Sequence, residues 1–325
     1  MDDFYPLSTP IPQFSLSWPS PLVPDYFSPV SALTYDDHTG NIVVGYSNGT
    51  LGVASCESSS TSRGSIESLE FSDKRVSCLS FRDSFMFFAS SDDFISIWDC
   101  EALSQVCRFK FPFKVFSFCS SDPSSTSLFS IGNARTIGQV DIRTGLTQAF
   151  LTLNSLPNSI CYYGNEFYFL IGESSGNISL IDIRFTKSLL TVSKDTSPVV
   201  SVIKQNNSDI YSLLKNGILS RINSYNFKKY SSNIQLTPMF SEKMTNPLSL
   251  NSNNMSLVKS IDGDQPWIAV NEIQSVLIVS PDLSCPLTNL IGNVDDVSCI
   301  TTGSGIVVTG DESGQVLLYR LGNHI

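Results

Sequence analysis

Short apolar runs alternate with tight polar turns along almost the whole chain. The run Asn41–Gly45 is typical: it meets the turn Ser47–Gly49, and a second alternating run follows. Glycine, asparagine and aspartate at such turns adopt the positive φ that a tight hairpin needs. The alternation and the β-branched residues predict strands, and no window of helical length carries an apolar stripe at helical spacing. The sequence therefore predicts an all-β protein.

The clearest of these units is Ser90–Asp99, which reads as a strand end, an acidic turn and an alternating strand that ends in Trp98-Asp99. Other segments superpose on it with a residue in the Trp98 position. The seven corresponding positions are Ala54, Trp98, Val140, Ile181, Ile222, Val279 and Tyr319. By subtraction, successive positions are 44, 42, 41, 41, 57 and 40 residues apart. A period of this length indicates seven repeated supersecondary units.

A second marker, a serine among apolar residues, precedes each of the seven positions. It stands 21–23 residues upstream, and farther upstream of Val279 only. The seven occurrences are Val30–Leu33, Val76–Leu79, Phe116–Cys119, Asn158–Cys161, Val200–Ile203, Leu248–Leu250 and Val297–Ile300. Because two independent markers recur in the same phase, we interpret the whole chain as one array of seven units.

The spacing of Ser90, Asp92, Trp98 and Asp99 resembles the signature of the WD-repeat family. The resemblance covers roughly residues 11–320 and is strongest in the second unit. It implies a single seven-bladed β-propeller domain over residues 1–325, with four strands in each blade. In that family a histidine often links the serine and aspartate to the tryptophan. This chain has only His38 and His324, and neither precedes a marker serine, so we expect the polar network to be incomplete in every blade.

The last unit needs a strand from elsewhere in the chain. The sequence ends six residues after Tyr319, which leaves no room for a fourth strand there. An open final blade would expose an unpaired strand edge. Phe14–Trp18 alternates, so we predict that a strand within Ile11–Trp18 closes the ring. The alternative is a loose N-terminal tail beside an incomplete last blade.

The interval of 57 residues marks the sixth unit as irregular. The spacing predicts two insertions, near Tyr225–Thr245 and Asn251–Gln265, so that insertions occupy about residues 225–265. The first insertion contains the aromatic residues Tyr225, Phe227 and Tyr230. Extra loops on a rigid scaffold often carry binding specificity. We therefore hypothesise that this segment contacts a partner; the alternative is an excursion without a function.

Composition narrows the classes of partner. The chain has a formal net charge of −10, 41% hydrophobic residues and 15% charged residues. A negative charge disfavours nucleic acid and anionic membrane surfaces as partners. No run is long enough for a transmembrane helix, and Met1–Asp3 lacks the basic start of a signal peptide, so we expect a cytoplasmic or nuclear location. Eight cysteines without a Cys-x-x-Cys pair, and two histidines, predict free thiols, no metal and no cofactor.

Two consecutive units end in an Asp-x-Arg sequence. Asp141 and Arg143 occupy the same slot in the third unit as Asp182 and Arg184 do in the fourth. The pair resembles the motif of WD-repeat substrate receptors of cullin-RING ubiquitin ligases, in which the arginine side of the ring docks on the ligase adaptor. The alternative is a local Asp–Arg pair that fixes the turn after the strand.

Of the acidic pairs Asp36-Asp37, Asp92-Asp93 and Asp295-Asp296, only the first adjoins a histidine, His38, which we expect to be a solvated surface group rather than the base of a nucleophilic triad. The resemblance implies a non-catalytic scaffold or adaptor that binds other proteins in a multiprotein complex, and we expect no homo-oligomer. The candidate protein-binding residues are Asp141, Arg143, Asp182, Arg184, Tyr225, Phe227 and Tyr230. A ligase substrate receptor is the alternative. A propeller enzyme with acids in the channel mouth, where Asp295-Asp296 should lie, is a remote one.

Overall fold

All regular structure in the described residues is β-strand. The computed structural model describes residues 14–17, 28–55, 67–120, 126–164, 167–185, 187–205, 209–226, 229–235, 255–259, 266–284 and 286–321. In these residues 28 strands form seven antiparallel sheets of four strands each. The predicted all-β class is confirmed.

The strands follow the chain order, except that the first strand belongs to the last sheet. That strand is β1 (Phe14–Ser17). The first sheet contains β2 (Val30–Tyr35), β3 (Asn41–Tyr46), β4 (Thr50–Ser55) and β5 (Glu67–Glu70), and the second contains β6 (Val76–Asp83), β7 (Met86–Ser91), β8 (Phe94–Asp99) and β9 (Ser104–Lys110). The third contains β10 (Val115–Ser120), β11 (Ser127–Gly132), β12 (Thr136–Asp141) and β13 (Thr147–Thr152), and the fourth contains β14 (Pro157–Tyr162), β15 (Tyr168–Glu173), β16 (Asn177–Asp182) and β17 (Lys187–Lys194). The fifth contains β18 (Val199–Lys204), β19 (Asp209–Leu214), β20 (Ile218–Asn223) and β21 (Lys229–Gln235), and the sixth contains β22 (Met255–Val258), β23 (Trp267–Asn271), β24 (Ser275–Val279) and β25 (Pro286–Ile291). The last contains β26 (Val297–Gly303), β27 (Ile306–Asp311), β28 (Gln315–Arg320) and β1.

The seven sheets are the blades of a closed ring. The first strand of each blade contacts the first strand of the next, and β26 of blade seven contacts β2 of blade one. The protein is therefore a seven-bladed β-propeller. Because the strands of a blade are antiparallel, the turns after its first and third strands lie on one face of the ring, here called the lower face. The turns after the second strands and the connections between blades lie on the other, upper face.

Blade seven takes its outermost strand from the N-terminal part of the chain. Strand β1 pairs antiparallel with β28, from Phe14 opposite Leu318 to Ser17 opposite Gln315. It lies inside the segment Ile11–Trp18, for which the sequence predicted a closing strand. The pairing covers the backbone edge that β28 would otherwise expose.

The hydrophobic core lies between neighbouring blades. Trp98 illustrates this position: its indole packs edge-on to Phe71 at 6.0 Å and stacks on Phe87 at 6.5 Å, in a cluster that also contains Val43 and Leu51 of blade one. The Trp98 Nε1–H is buried and has no hydrogen-bond partner among the described residues. Packing, rather than a polar network, therefore holds the tryptophan in place.

Three joints between blades share one polar contact, made by the residue that bulges from the inner strand. Ser31 Oγ lies 2.8 Å from the carbonyl oxygen of Val76, the first residue of the next inner strand. Ser298 Oγ lies 2.6 Å from the Val30 carbonyl, and Asn158 Nδ2 donates to the Val199 carbonyl at 2.8 Å. In each case a side chain of one blade binds the backbone of the next.

The same three joints also contain a glycine against which the next inner strand packs. A Cβ on any of the three glycines would lie only 2.4–2.6 Å from a valine Cγ1, so no side chain fits there. The pairs are Gly45 with Val76, Gly172 with Val199, and Gly310 with Val30. The inner strands are in most extensive contact at these joints. We call joints one–two, four–five and seven–one the latched joints.

Three other joints lack the combination of bulge donor and glycine. The slots corresponding to Ser31 and Gly45 hold Ser77 and Ser90 in blade two, Phe116 and Ile131 in blade three, and Val200 and Leu213 in blade five. Ser77 Oγ bonds Ser90 Oγ of its own blade at 2.9 Å. At joint six–seven, Ser256 Oγ bonds Thr302 Oγ1 at 2.7 Å instead.

The structure corrects the sequence interpretation of the sixth unit. Within the predicted insertion of residues 225–265, β21 is the outer strand of blade five and β22 is the inner strand of blade six. The predicted marker Leu248–Leu250 lies outside the described residues, and the inner strand begins at Met255. Ser256 stands 23 residues before Val279, so the spacing within blade six is regular, and the residues that lengthen the interval to 57 precede Met255. The sequence prediction placed the inner strand too early because Ser249 matched the same short motif.

Candidate functional site

Arg184 is held in one conformation by the aspartate that precedes it. Asp182 ends β16, and its Oδ1 accepts the backbone N–H of Arg184 at 2.9 Å. The Arg184 guanidinium donates back through Nε to Oδ1 at 3.0 Å and through Nη2 to Oδ2 at 2.7 Å. Hydrogen bonds from Arg184 lower the pKa of Asp182, and the same pair raises the pKa of Arg184. This bidentate geometry fixes the direction of the arginine.

Aromatic rings surround the same guanidinium. The Arg184 Cζ lies 4.7 Å from the ring centroid of Phe167, 5.4 Å from that of Phe185 and 5.5 Å from that of Tyr168. Nη2 also lies 2.9 Å from the Tyr168 hydroxyl oxygen. Guanidinium groups are attracted to aromatic faces at such distances. The residue therefore belongs to a small aromatic cluster on the lower face of blade four.

Arg143 occupies the same turn of blade three but is held less firmly. The Asp141 Oδ1 accepts the backbone N–H of Arg143 at 2.9 Å, as in blade four, but the side-chain contact from Nε is 3.7 Å. The Arg143 side chain is 72% exposed, against 45% for Arg184. The two Asp-x-Arg sequences thus form the same turn and present different arginines.

The aspartate of this turn has a structural role in other blades too. Asp99 Oδ1 accepts the backbone N–H groups of Glu101 and Ala102 at 2.8 Å, and Asn223 Oδ1 accepts that of Tyr225 at 2.9 Å. An acidic or amide side chain after the third strand therefore caps the turn whether or not an arginine follows. This supports the interpretation of the Asp-x-Arg sequences as local turn-fixing pairs.

Tyr225 lies on the same lower face, in the corresponding turn of blade five, and is strongly exposed. The neighbouring Ser224 carbonyl accepts a 2.6 Å hydrogen bond from the hydroxyl of Tyr163, which belongs to blade four. Tyr163 also pairs through its backbone N–H with the Tyr168 carbonyl at 2.9 Å, and Lys204 Nζ lies 4.3 Å from the Tyr163 ring centroid. The Tyr163 hydroxyl bond and the Lys204 contact join the two blades.

Exposed and half-buried rings thus form one surface across blades four and five. We call it the aromatic face, and it consists of Tyr163, Phe167, Tyr168, Arg184, Phe185 and Tyr225. Sequence analysis found Arg184 and Tyr225 but missed the other four. For Tyr163, Phe167 and Tyr168 a signal was present in the aromatic pairs Tyr162-Tyr163 and Phe167-Tyr168, which flank the first turn of blade four. The fold brings that turn next to the turn that carries Arg184.

The remaining predicted aromatic residues are placed differently. Phe227 lies outside the described residues. Tyr230 lies in β21, where residues 229–235 pair with the third strand of blade five. Tyr230 is therefore part of a blade, whereas the spacing predicted that it belongs to an insertion.

The thiols on the inner strands are poor candidates for chemistry. Burial raises the pKa of Cys161 to about 11 and that of Cys299 to about 12, so both stay protonated near neutral pH. The six cysteines in the part of the chain that the structure describes are free. The described part of the chain contains no group of three or more His, Cys, Asp or Glu side chains placed to hold a metal ion.

Comparison with known proteins adds no family. No protein-family model matches the chain, and no curated protein matches it significantly. In the described residues, no helix is long and apolar enough to span a membrane. The seven-bladed architecture therefore rests on the strand pairing itself.

Proposed function

We propose that this propeller is a non-catalytic interaction platform of the WD-repeat type, which binds other proteins within a multiprotein complex. The observation that carries the proposal is the aromatic face, where Arg184, Phe185 and Tyr225 are exposed on turns of a closed ring. Arginine and the aromatic residues are the types most enriched in protein interfaces and their binding hot spots.

The rigidity of the aromatic face favours binding. Arg184 is fixed by Asp182 and lies among three rings, and Tyr163 bonds across to the next blade. Side chains that are already ordered lose little entropy when a partner binds, so more of the contact energy appears as affinity. A platform of this kind works by holding contacts in place and needs no reacting group.

Support for the WD-repeat type comes from blade two. Asp92 lies in the tight turn between β7 and β8 with a φ of 47°, and Trp98 is buried in the joint to blade one, as the signature implies. The net charge of −10 favours proteins over nucleic acid or anionic membranes as partners.

A double substitution tests the platform. Phe185→Ser with Tyr225→Ser removes two exposed rings without touching the core. We expect it to lower recovery of co-purifying proteins at least about tenfold, because hot-spot rings carry most of an interface's energy. Val106→Ser, on the exposed outer strand β9, is the matched control. An unchanged set of co-purified proteins with the double variant would count against the proposal.

A substrate receptor of a cullin-RING ligase is the second candidate. The observation that favours it is that Arg143 and Arg184 lie in the same turn of consecutive blades, on one face, both accessible. Co-purification with the ligase adaptor, lost on Arg143→Ala with Arg184→Ala, would support this candidate. Adaptor binding that is absent, or that survives both substitutions, would remove it.

A further inference from the structure

Three exposed aliphatic residues lie on the upper face, at the joint between blades six and seven. Ile273, Ile291 and Val294 are 43–69% exposed. Ile273 lies in the turn between β23 and β24, Ile291 ends β25, and Val294 lies in the connection from β25 to β26. We call these three residues the aliphatic patch.

Backbone contacts hold the patch in place. The Ile273 carbonyl accepts the N–H of Val297 at 2.8 Å, which ties the turn of blade six to the first strand of blade seven. Ile291 pairs with Ser275, two residues after Ile273. The N–H of Val294 donates to Asp311 Oδ2 at 3.2 Å. The patch is therefore part of the ordered ring.

The apolar turn of blade six departs from the pattern of the other blades. The other six turns between second and third strands carry no large apolar side chain: Ser47–Gly49, Asp92-Asp93, Asn133–Arg135, Ser174–Gly176, Lys215–Gly217 and Glu312–Gly314. In the connections after blades one, two and three, the first apolar residue is buried: Phe71, Phe111 and Leu153. A local departure from an otherwise regular pattern, with no gain in burial, is a mark of a functional surface.

Carboxylates border the patch. Asp295 and Asp296 follow Val294 directly, and the N–H of Glu312 donates to the Asp296 carbonyl at 3.0 Å. Burial raises the pKa of Glu312, with Asp296 and Asp295 adding to the shift and Arg75 opposing it. Negative charge is therefore concentrated beside the patch. A cation brought by a partner would lower the electrostatic energy of these carboxylates.

Blades two and three carry lysines at the corresponding place on the same face. Asp92 and Asp93 lie 3.5 and 3.2 Å from the ammonium groups of Lys114 and Lys110. Lys114 directly precedes the first strand of blade three. The residue in the same slot before blade seven is Asp296. The aliphatic patch is thus bordered by carboxylate at a position where another joint carries lysine.

We propose that the aliphatic patch docks a basic segment of a partner protein, one that places a large apolar side chain between lysines or arginines. The apolar anchor would cover Ile273 and Val294, and the cations would face Asp295, Asp296 and Glu312. A second copy of this chain fits poorly, because it would bring a further net charge of −10. The inference uses the upper face and is independent of the aromatic face.

A displayed library of random dodecapeptides, selected on the folded protein, tests the docking site. We expect the enriched peptides to combine an apolar anchor with lysine or arginine. Binding of an enriched peptide, measured by fluorescence anisotropy, should weaken about tenfold or more with Ile273→Ser plus Val294→Ser, since both anchoring contacts are lost. It should weaken also with Asp295→Asn plus Glu312→Gln, and with added salt.

Leu156→Ser is the matched control, because Leu156 is an exposed aliphatic residue on the same face at a different joint. It should leave the affinity unchanged. Circular dichroism of each variant shows that the fold is retained. Enriched peptides that are acidic or neutral, affinities that the patch variants do not change, or a library that yields no patch-dependent binder would overturn the proposal. So would concentration-dependent dimerisation in sedimentation that Val294→Ser abolishes.

Discussion

The latched joints differ from joints two–three, three–four and five–six in how the inner strands approach each other. At a latched joint a glycine leaves space for a valine of the next blade, and a polar side chain binds that valine's carbonyl. At the others, larger side chains such as Ile131 and Leu213 occupy the glycine slot. The comparison teaches that seven similar blades are not joined in seven similar ways.

The location of one latched joint is informative. Joint seven–one brings together blades that are far apart in sequence, so no short connection holds them. Besides the latch, Asp37 of blade one accepts the N–H of Ser304 in blade seven at 2.6 Å and lies 3.2 Å from Lys259 Nζ after β22. Strand β1 pairs on the outer edge of the same blade. Non-covalent contacts at the inner edge, lower face and outer edge thus offset the entropy of ring closure.

The largest expected effect comes from filling a glycine slot. Gly310→Ala would place a Cβ 2.4 Å from Val30 Cγ1 and 2.8 Å from its Cβ, neither of which can move freely. Overpacking of this kind costs up to about 3 kcal/mol. The measurement is the urea midpoint, together with deuterium uptake of peptides that cover β2 and β26.

Ser90→Ala is the matched control for Gly310→Ala, since Ser90 fills the same slot at joint two–three and already has a Cβ. It loses a hydroxyl that lies 3.3 Å from the Cys78 carbonyl, which costs about 1 kcal/mol. Equal losses of stability for the two substitutions would show that the latched joint does not require a glycine at this position.

The next effect is loss of the polar latch. Ser298→Ala leaves the carbonyls of Val30 and Gly310 without the Ser298 hydroxyl, at a buried position. We expect a loss of about 1.5 kcal/mol, because a buried hydrogen bond between the blades is lost. Faster deuterium exchange should be confined to joint seven–one. Ser77→Ala, which breaks a contact within one blade, should not open any joint; exchange that spreads evenly over all blades in either variant would contradict the joint-specific role.

The smallest effect is the pH dependence of the Asp37 contact. Burial opposes ionisation, yet hydrogen bonds from Ser304 and Lys259 leave the pKa of Asp37 lowered from its usual 3.8. The stabilisation is therefore fully present above pH 3.8 and is lost as the pH falls through the lower folded value. Asp37→Asn should lower the free energy of unfolding by about 1 kcal/mol at neutral pH. It should also make the free energy of unfolding depend less on pH below 3.8. An unchanged pH dependence at acid pH in this variant would contradict the assignment.

The repeat positions show how much of the fold the sequence determines. The turn and the strand before Trp98 follow from local chemistry, and the seven blades counted from that position are those observed. The marker serines locate the bulged residue of the inner strand less exactly than the Trp98 positions locate the blades. Ser31, Ser77 and Ser298 are themselves the bulged residues, whereas Ser159 and Ser201 follow the bulge. A bulge is fixed by pairing with the neighbouring strand, which a motif within one strand does not record.

The sequence by itself determined the all-β class, the number of blades and the turn-capping aspartates, because these depend on contacts within about forty residues of chain. Tertiary structure decided which joints are latched, where blade six begins, and that Phe167, Tyr168 and Phe185 surround Arg184. It also decided that the Ile273 carbonyl contacts Val297 and that Glu312 contacts Asp296, two residues after Val294. These features join segments of different turns or blades, and their distances follow only from the closed ring.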